Sequence, residues 1–391
     1  MNQKLNEEYR ANEANAVGIV RSTETIPTII SRITGEAAED EKAIAKAAEL
    51  IAAGALVAFP TETVYGLGGD AFDTTAAERI YAAKGRPSDN PLIVHIAEVS
   101  DMIQLAEEVP PMAYRLAEAF WPGPMTLIVR KNDRVPKTVT GGLDTVAIRL
   151  PSHPVARELI RKSGTFIAAP SANLSGRPSP TNAEHVIEDL AGRVDMILDA
   201  GSIEIGLEST IVDVTGEVPM ILRPGYITRE MIAKVTGEVL LDPALMTGVK
   251  GDVRPKAPGM KYRHYAPKAE LTIVEPEDFA SPTGGAAVVA KLTELAASDL
   301  AAGRKVGLMV ASEHEEDLRT GLAGYDAQLE IKVLGSAGEE TTIAHNLFGA
   351  LRDFDTLSVD VIYSEGYATE GIGQAIMNRM LKAAGQRVIR V

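Results

Sequence analysis

"ALVAFPTETVYGLGGDAFDTTAAERIYAAKGRPSDNPLIVHIA" spans residues 55–97 and sets the architecture of the first half of the chain. "ALVAFP" is a short apolar run closed by Pro60, the pattern of a strand buried on both faces. "TTAAERIYAAKG" has helical spacing, with Thr75 and Glu78 predicting a capping box and Gly85 a C-cap. "PLIVHIA" (91–97) reads as a second buried strand. Strand, helix and strand in succession indicate an α/β domain. Between the first strand and the helix stand Thr61, Glu62, Thr63 and Tyr65, then Gly66, Gly68 and Gly69. Hydroxyls can hold a small polar ligand, and glycines let it approach the backbone. A turn that needs Thr and Gly for its own geometry accounts for them equally well.

Outward from this stretch the pattern continues. "DEKAIAKAAELIAAG" (40–54) and "PPMAYRLAEAF" have helical spacing, the latter with prolines in its first turn. "MTLIV" (125–129), "TVAIRL" (145–150) and "TFIAAP" (165–170) read as strands. "TNAEHVIEDLAG" opens with a second capping box, Thr181 to Glu184, and "TREMIAKVTG" is a further helix. Strands and helices do not alternate strictly, so residues 24–240 are expected to form a domain around a twisted mixed sheet with helices. From 241 to 268 periodicity fades and Pro, Gly and basic residues accumulate, as in a linker. Residues 269–391 then alternate strictly, from "AELTIVEP" to "RVIRV". That implies a small doubly wound, Rossmann-like parallel sheet.

Bulk numbers agree. The chain of 391 residues is too long for one ordinary core. A net charge of −15 argues against a general nucleic-acid or membrane coat, so any anion site must be built from local Arg and Lys. The chain has no cysteine, which excludes disulfides, Cys-ligated zinc, iron–sulfur clusters and Cys nucleophiles. "MNQKLNEEYRANEANA" is polar and acidic with no signal-peptide core, and residues 1–23 read as a disordered tail. No run approaches the roughly 20 apolar residues of a membrane span, and a cytoplasmic location is expected.

Five further stretches carry candidate chemistry. "YAAKGRPSDNPLIVHI" places Lys84, Arg86, Ser88 and Asn90 in a loop, then His95 on a strand. Two cations and short polar groups can grip a polyphosphate and its sugar. Lys84 could equally serve the helix C-terminus, and His95 is open between a core and a site role. Arg149 lies in an otherwise apolar strand, where it must face a site or be paired; a carboxylate ligand is favoured over a structural ion pair. "AAPSANLSGRPSP" offers Ser171, Asn173, Ser175, Arg177 and Ser179 among small residues. "GLESTIVDV" adds Glu208, Ser209 and Thr210, and "ILRPGYIT" adds Arg223. There is no P-loop and no H-E-x-x-H, and "GIGQAI" (371–376) lacks the third glycine of a dinucleotide fingerprint.

Taken in order, "FPTETVYGLGGDA", "KGRPSDNPLIVHI", "WPGPMTLIV", "VAIRLP", "APSANLSGRPSPT", "LESTIVDV" and "LRPG" resemble the YrdC-like family. The linker "PGMKYRHYAP" and the C-terminal α/β domain are similar to its long members, the threonylcarbamoyl-AMP synthases. The resemblance implies that L-threonine, bicarbonate or CO2, and ATP give L-threonylcarbamoyl-AMP and diphosphate, for N6-threonylcarbamoyladenosine in tRNA. By resemblance, Thr63, His95, Arg149, Ala169 and Ser209 surround threonine, with Arg149 on its carboxylate. Arg86, Asn90, Thr145, Ser171, Ser179 and Arg223 hold the nucleotide, with Lys84 near its phosphates; Lys84, Arg86 and Arg149 carry the charge stabilisation of the reaction. ATP is a substrate, and magnesium is expected without a dedicated protein site. Downstream partners would be the proteins that transfer the threonylcarbamoyl group to tRNA, with a weak tRNA contact left open and no membrane. Alternatives are an RNA-binding module or an ATP- or threonine-sensing module without catalysis. The hydrogenase-maturation carbamoyltransferases share a similar domain but carry Cys-rich zinc fingers.

Within "APGMKYRHYAPKAEL" (257–271), and counting from Lys250 to Lys268, six basic residues stand against one acid, Asp252. A solvated linker is the plain reading. The sharper one is a lid, with Lys261 and Arg263 meeting phosphates and Tyr262, His264 and Tyr265 capping the pocket against water.

Overall fold

Val57–Phe59, the core of the first apolar run, is an interior strand of a twelve-stranded sheet in a computed structural model. The structure describes residues 17–20, 26–247, 255–258 and 264–391. Among these the N-terminal strands are β1 (Val17–Val20), β2 (Thr28–Arg32), β3 (Val57–Phe59), β4 (Gly66–Asp70), β5 (Ile93–His95), β6 (Met125–Arg130), β7 (Thr145–Arg149), β8 (Ile167–Ala169), β9 (Met196–Asp199), β10 (Thr210–Asp213), β11 (Met220–Arg223) and β12 (Leu240–Leu241). Their order is β1-β2-β9-β3-β4-β8-β5-β7-β6-β10-β11-β12, with parallel and antiparallel pairs mixed.

Alternation along β3 shows why the run is apolar on both faces. Val57 and Phe59 join a cluster with Ile44, Ala47, Ala48 and Ile51 of the helix Ala37–Ala52, and with Val155, Ala156 and Leu159 of the helix Pro154–Ser163. Leu56 and Ala58 enter the larger cluster on the other face, with Ala77 and Ile80 of the helix Thr74–Lys84, Leu116 of Pro111–Phe120 and Val186 of Ala183–Leu190. Gly68 is required here: a Cβ would lie 2.6 Å from Ile167 and 2.8 Å from the Phe59 ring. On the Val57 face, away from its helices, Ile93, Ala147, Ile128, Ile211 and Leu222 form a separate small cluster with Ala257.

The C-terminal sheet has order Leu329–Gly335, Val306–Ala311, Val361–Glu365, Glu270–Glu275, Val388–Arg390, all parallel. The helix Gly284–Ala301 packs with Glu315–Gly321, and Glu340–Leu357 with Gly373–Ala383. Val306, Leu308 and Val310 meet Val288, Leu292 and Ala296, whereas a Cβ on Gly307 would strike the Phe354 ring at 2.7 Å. Successive residues of one strand thus serve helices of two different pairs, which is the doubly wound arrangement. In "GIGQAI", a Cβ on Gly373 would meet the Ala368 carbonyl, and its N–H donates to Glu340 Oε2 at 2.9 Å. Close packing accounts for that glycine.

Two compact units divide the chain: Met1–Ser175, Ser179–Glu204 and Glu208–Lys261, and then Gly176–Pro178, Ile205–Leu207 and Tyr262–Val391.

Four expectations are corrected. The tail expected to be disordered over 1–23 contains β1, because the backbone of "VGIV" pairs antiparallel with β2; residues 1–16 and 21–25 lie outside the described residues. The linker expected from 241 begins later. β12 pairs parallel with β11, and Asp242 caps the short helix Ala244–Thr247 through Ala244 N–H. The caps at Thr75 and Thr181 sit one or two residues off. Asp73 accepts from Thr75 N–H, and Asn182 from His185 N–H, since a short Asx side chain just before the first turn reaches its orphan donors.

Candidate active site

β-Sheet register assembles the site. His95 ends β5 directly beside Arg149 of β7, and Arg149 lies opposite Thr126 of β6. Residues paired across a sheet project to the same face, so His95, Arg149 and Thr126 form one row. Ser209, just before β10, continues it: its Oγ is 2.7 Å from Thr126 Oγ1. Ala169 pairs with Ile93, two residues before His95 on the same face.

The motif loops are stitched to each other. Ala172 N–H donates to Tyr65 O and Leu67 N–H to Pro170 O, which sets "PTETVYGLG" along "APSAN". Thr61 Oγ1 lies 2.9 Å from Thr63 Oγ1 and donates to Val64 O. Between them Glu62 is buried, with Oε1 2.7 Å from Arg149 Nη2. Both charges are 4% exposed. The two nevertheless make no hydrogen bond to each other in this geometry. Both Glu62 oxygens and Arg149 Nε and Nη2 have no hydrogen-bond partner among the described residues. Arg149 is therefore paired, as the rival reading required, yet it retains donors for a ligand.

Burial holds His95 neutral. Its pKa is pushed down to about 3, first by desolvation and then by the Arg149 charge. Nδ1 lies 3.1 Å from Ile93 O, and the ring packs edge-on to Phe59. His153, beyond β7, is also held below the ordinary histidine range by burial, with Glu62 and Glu204 opposing.

Other candidate residues lie around this row. Ser179 Oγ donates to Glu208 Oε1 at 2.5 Å. Arg223 donates from Nε and Nη2 to Ser209 O at 3.1 and 3.0 Å, from Nη2 to Ser209 Oγ, and from Nη1 to Pro258 O at 3.5 Å. Gly225 permits this: a Cβ there would sit 2.5 Å from Thr210 N and 2.8 Å from Glu208 O. Lys84, expected near the phosphates, is tied to the neighbouring motif loop. Its buried ammonium donates to Ser171 O at 2.5 Å and to Asn173 O. In this structure it braces the loop. Ser171 Oγ donates to Asn173 Oδ1.

Arg86, Asn90 and Thr145 form a second group. Arg86 donates to Asn90 O and Pro91 O, and buried Asn90 keeps Oδ1 without a hydrogen-bond partner. Thr145 is four residues before Arg149 on β7, on the same face and about 13 Å away at strand rise. The small apolar cluster of Ile93, Ala147 and Ile128 lies between the two polar ends.

Of the lid residues, Lys261, Tyr262 and Arg263 lie outside the described residues. Tyr265, expected to cap the pocket, is buried, with its ring stacked on Phe348 at 5.0 Å within the C-terminal unit. His264 packs beside it. Sequence reading left Glu62 and Thr126 unassigned. An acid between two threonines after a buried strand was the available signal for the first, and strand alternation for the second.

Known proteins align with this arrangement. A Sua5/YciO/YrdC family model, described as "Telomere recombination", matches residues 49–225. A second, described as "Threonylcarbamoyl-AMP synthase, C-terminal domain", matches 227–385. A threonylcarbamoyl-AMP synthase of Pyrococcus abyssi is 50% identical, over 90% of this chain and 97% of the relative. One of Bacillus subtilis is 46% identical, over 92% and 97%. The crystal structure of P. abyssi Sua5 complexed with L-threonine superposes with a TM-score of 0.82 at 47% identity, covering 93% of this chain and 98% of that one.

Proposed function

The chain belongs to the threonylcarbamoyl-AMP synthase family in its two-domain form, and on that premise we propose that it joins L-threonine, bicarbonate or CO2, and ATP into L-threonylcarbamoyl-AMP and diphosphate. The product is the intermediate for N6-threonylcarbamoyladenosine in tRNA. The observation that carries the reading is the buried row of His95, Arg149, Thr126 and Ser209, with Glu62 against Arg149.

In this reading threonine's carboxylate takes the hydrogen-bond donors that Arg149 keeps, a charge-assisted contact in a desolvated site. Neutral His95, Thr63 and Ser209 surround the rest of the amino acid, and Ala169 keeps that wall small. The ammonium first gives a proton to solvent; the free amine then adds to CO2 and loses a second proton to solvent as it becomes the carbamate. A carbamate oxygen then attacks the α-phosphorus of ATP, the bond to the β-phosphate bridging oxygen breaks, and diphosphate leaves. No group of the enzyme is modified, so positioning and charge stabilisation carry the reaction. Thr145, Asn90 and Arg86 would hold the nucleoside end, while Ser171, Ser179 and Arg223 would face the phosphates and Lys84 keeps that loop in shape. A nucleotide-bound magnesium ion would supply charge neutralisation on the phosphates.

The linker reading continues as a lid. Ala257 is buried against Ile93 and Ala147 on the site's face of the sheet, and Pro258 O accepts from Arg223. A segment seated there would keep water from the carbamate and the mixed anhydride, both of which hydrolyse.

The test is diphosphate release from purified protein with ATP, bicarbonate and threonine. Omitting threonine should suppress it; release that ignores threonine would overturn the assignment, and binding of ATP or threonine without release would favour a sensor.

A further inference from the structure

Glu62 is the one buried carboxylate against Arg149, and its oxygens are 4% exposed at most as part of a side chain with no hydrogen bond among the described residues. A carboxylate has room for about four hydrogen bonds. Leaving such capacity unused in a desolvated position is costly and needs an explanation. Arg149, on the same row as His95 and Thr126, has the matching surplus of donors. A positive and a negative group 2.7 Å apart, both buried and both with open hydrogen-bonding capacity, are the mirror image of an α-amino acid zwitterion.

We infer that Glu62 is the ammonium-recognition residue of the amino-acid site, forming with Arg149 a clamp that selects α-amino acids over acids lacking the amine. This rests on the threonine-dependent function proposed above. Before the amino acid arrives, Glu62 and Arg149 neutralise each other, which keeps either charge from being stranded in the core. On binding, Arg149 turns its Nε and Nη2 donors to the α-carboxylate and Glu62 accepts from the α-ammonium. Four charges then alternate in sign, and every ionised group has an opposite neighbour. The same Glu62 oxygens remain acceptors for the single N–H of the carbamate, so the nitrogen keeps its position through the reaction. The segment before the clamp helps to hold it: Thr61 Oγ1 accepts from Val64 N–H and donates to Val64 O, so the turn carrying Glu62 is closed upon itself.

The experiment compares two ligands on the full chain by calorimetry without ATP: L-threonine, and 2,3-dihydroxybutanoate of matching configuration, in which a hydroxyl replaces the ammonium. Wild type should prefer threonine. Glu62→Gln should weaken threonine roughly 10- to 100-fold, the size of a lost charged hydrogen bond, and change the dihydroxy acid by less than about threefold. Glu62→Asp keeps the charge and guards against misfolding, and should show the same differential loss at smaller size. Equal weakening of both ligands in both variants would overturn the inference, because it would mean Glu62 acts only by orienting Arg149; unchanged threonine affinity would do so as well. A wild-type chain that binds neither ligand would instead refute the functional reading from which the inference starts.

Discussion

Acid should destabilise the N-terminal unit through one identifiable side chain, His95. In the folded chain its pKa is down at about 3, by burial first and by Arg149 second, against an ordinary value near 6.5. The sign follows from which state binds the proton. Above pH ~6.5 both folded and unfolded chains hold a neutral imidazole, and the full stability is present. As pH falls below ~6.5 the unfolded chain takes a proton that the folded chain refuses, so stability is lost progressively until the folded pKa is reached. At 1.36 kcal/mol per unit, the loss is about 2 kcal/mol at pH 5 and about 3 kcal/mol at pH 4. Trp121 is the sole tryptophan, is buried, and lies in the N-terminal unit, so its fluorescence reports that unit's urea transition. His95→Gln keeps a donor for Ile93 O but cannot titrate. Its transition free energy should therefore fall less between pH 7 and pH 4 than the wild type's, by about 3 kcal/mol. Parallel pH curves for the two proteins would refute the claim that His95 is buried neutral beside Arg149.

Arg149→Ala should cost about 3–5 kcal/mol of stability because it strands Glu62, and Arg149→Met with Glu62→Gln should recover most of that without restoring threonine-dependent diphosphate release; urea titration and the release assay read the two effects separately. Gly225→Ala should push the Glu208–Thr210 backbone away, costing about 1–3 kcal/mol and raising the threonine requirement, whereas unchanged kinetics would mean Ser209 is not held there for the substrate. A chain ending at residue 254 lacks Ala257 and the Pro258 carbonyl, and should lose turnover; full turnover would sink the lid.

Much of this molecule was legible in one dimension. Short apolar runs bounded by Pro and Gly marked the strands, and strict alternation after residue 269 predicted an all-parallel sheet, because those patterns report local burial and chain reversal directly. Polar residues in apolar company, such as Arg149, announced a site for the same reason: an unpaired charge there is too costly to be incidental. Caps at Asp73 and Asn182 were missed by a residue or two, since neighbouring hydroxyl and Asx side chains compete for the same donors.

What sequence by itself determined was the kind of elements, the family resemblance, and the chemistry available. Only tertiary structure decided who stands beside whom. β5 and β7 are separated by a whole strand and helix in the chain, yet register sets His95 next to Arg149. Glu62 meets Arg149 across 87 positions, and Lys84 reaches the loop carbonyls of Ser171 and Asn173. Such pairings depend on long-range register and on the desolvation that makes each buried charge seek a partner, and neither quantity is a property of any local stretch of residues.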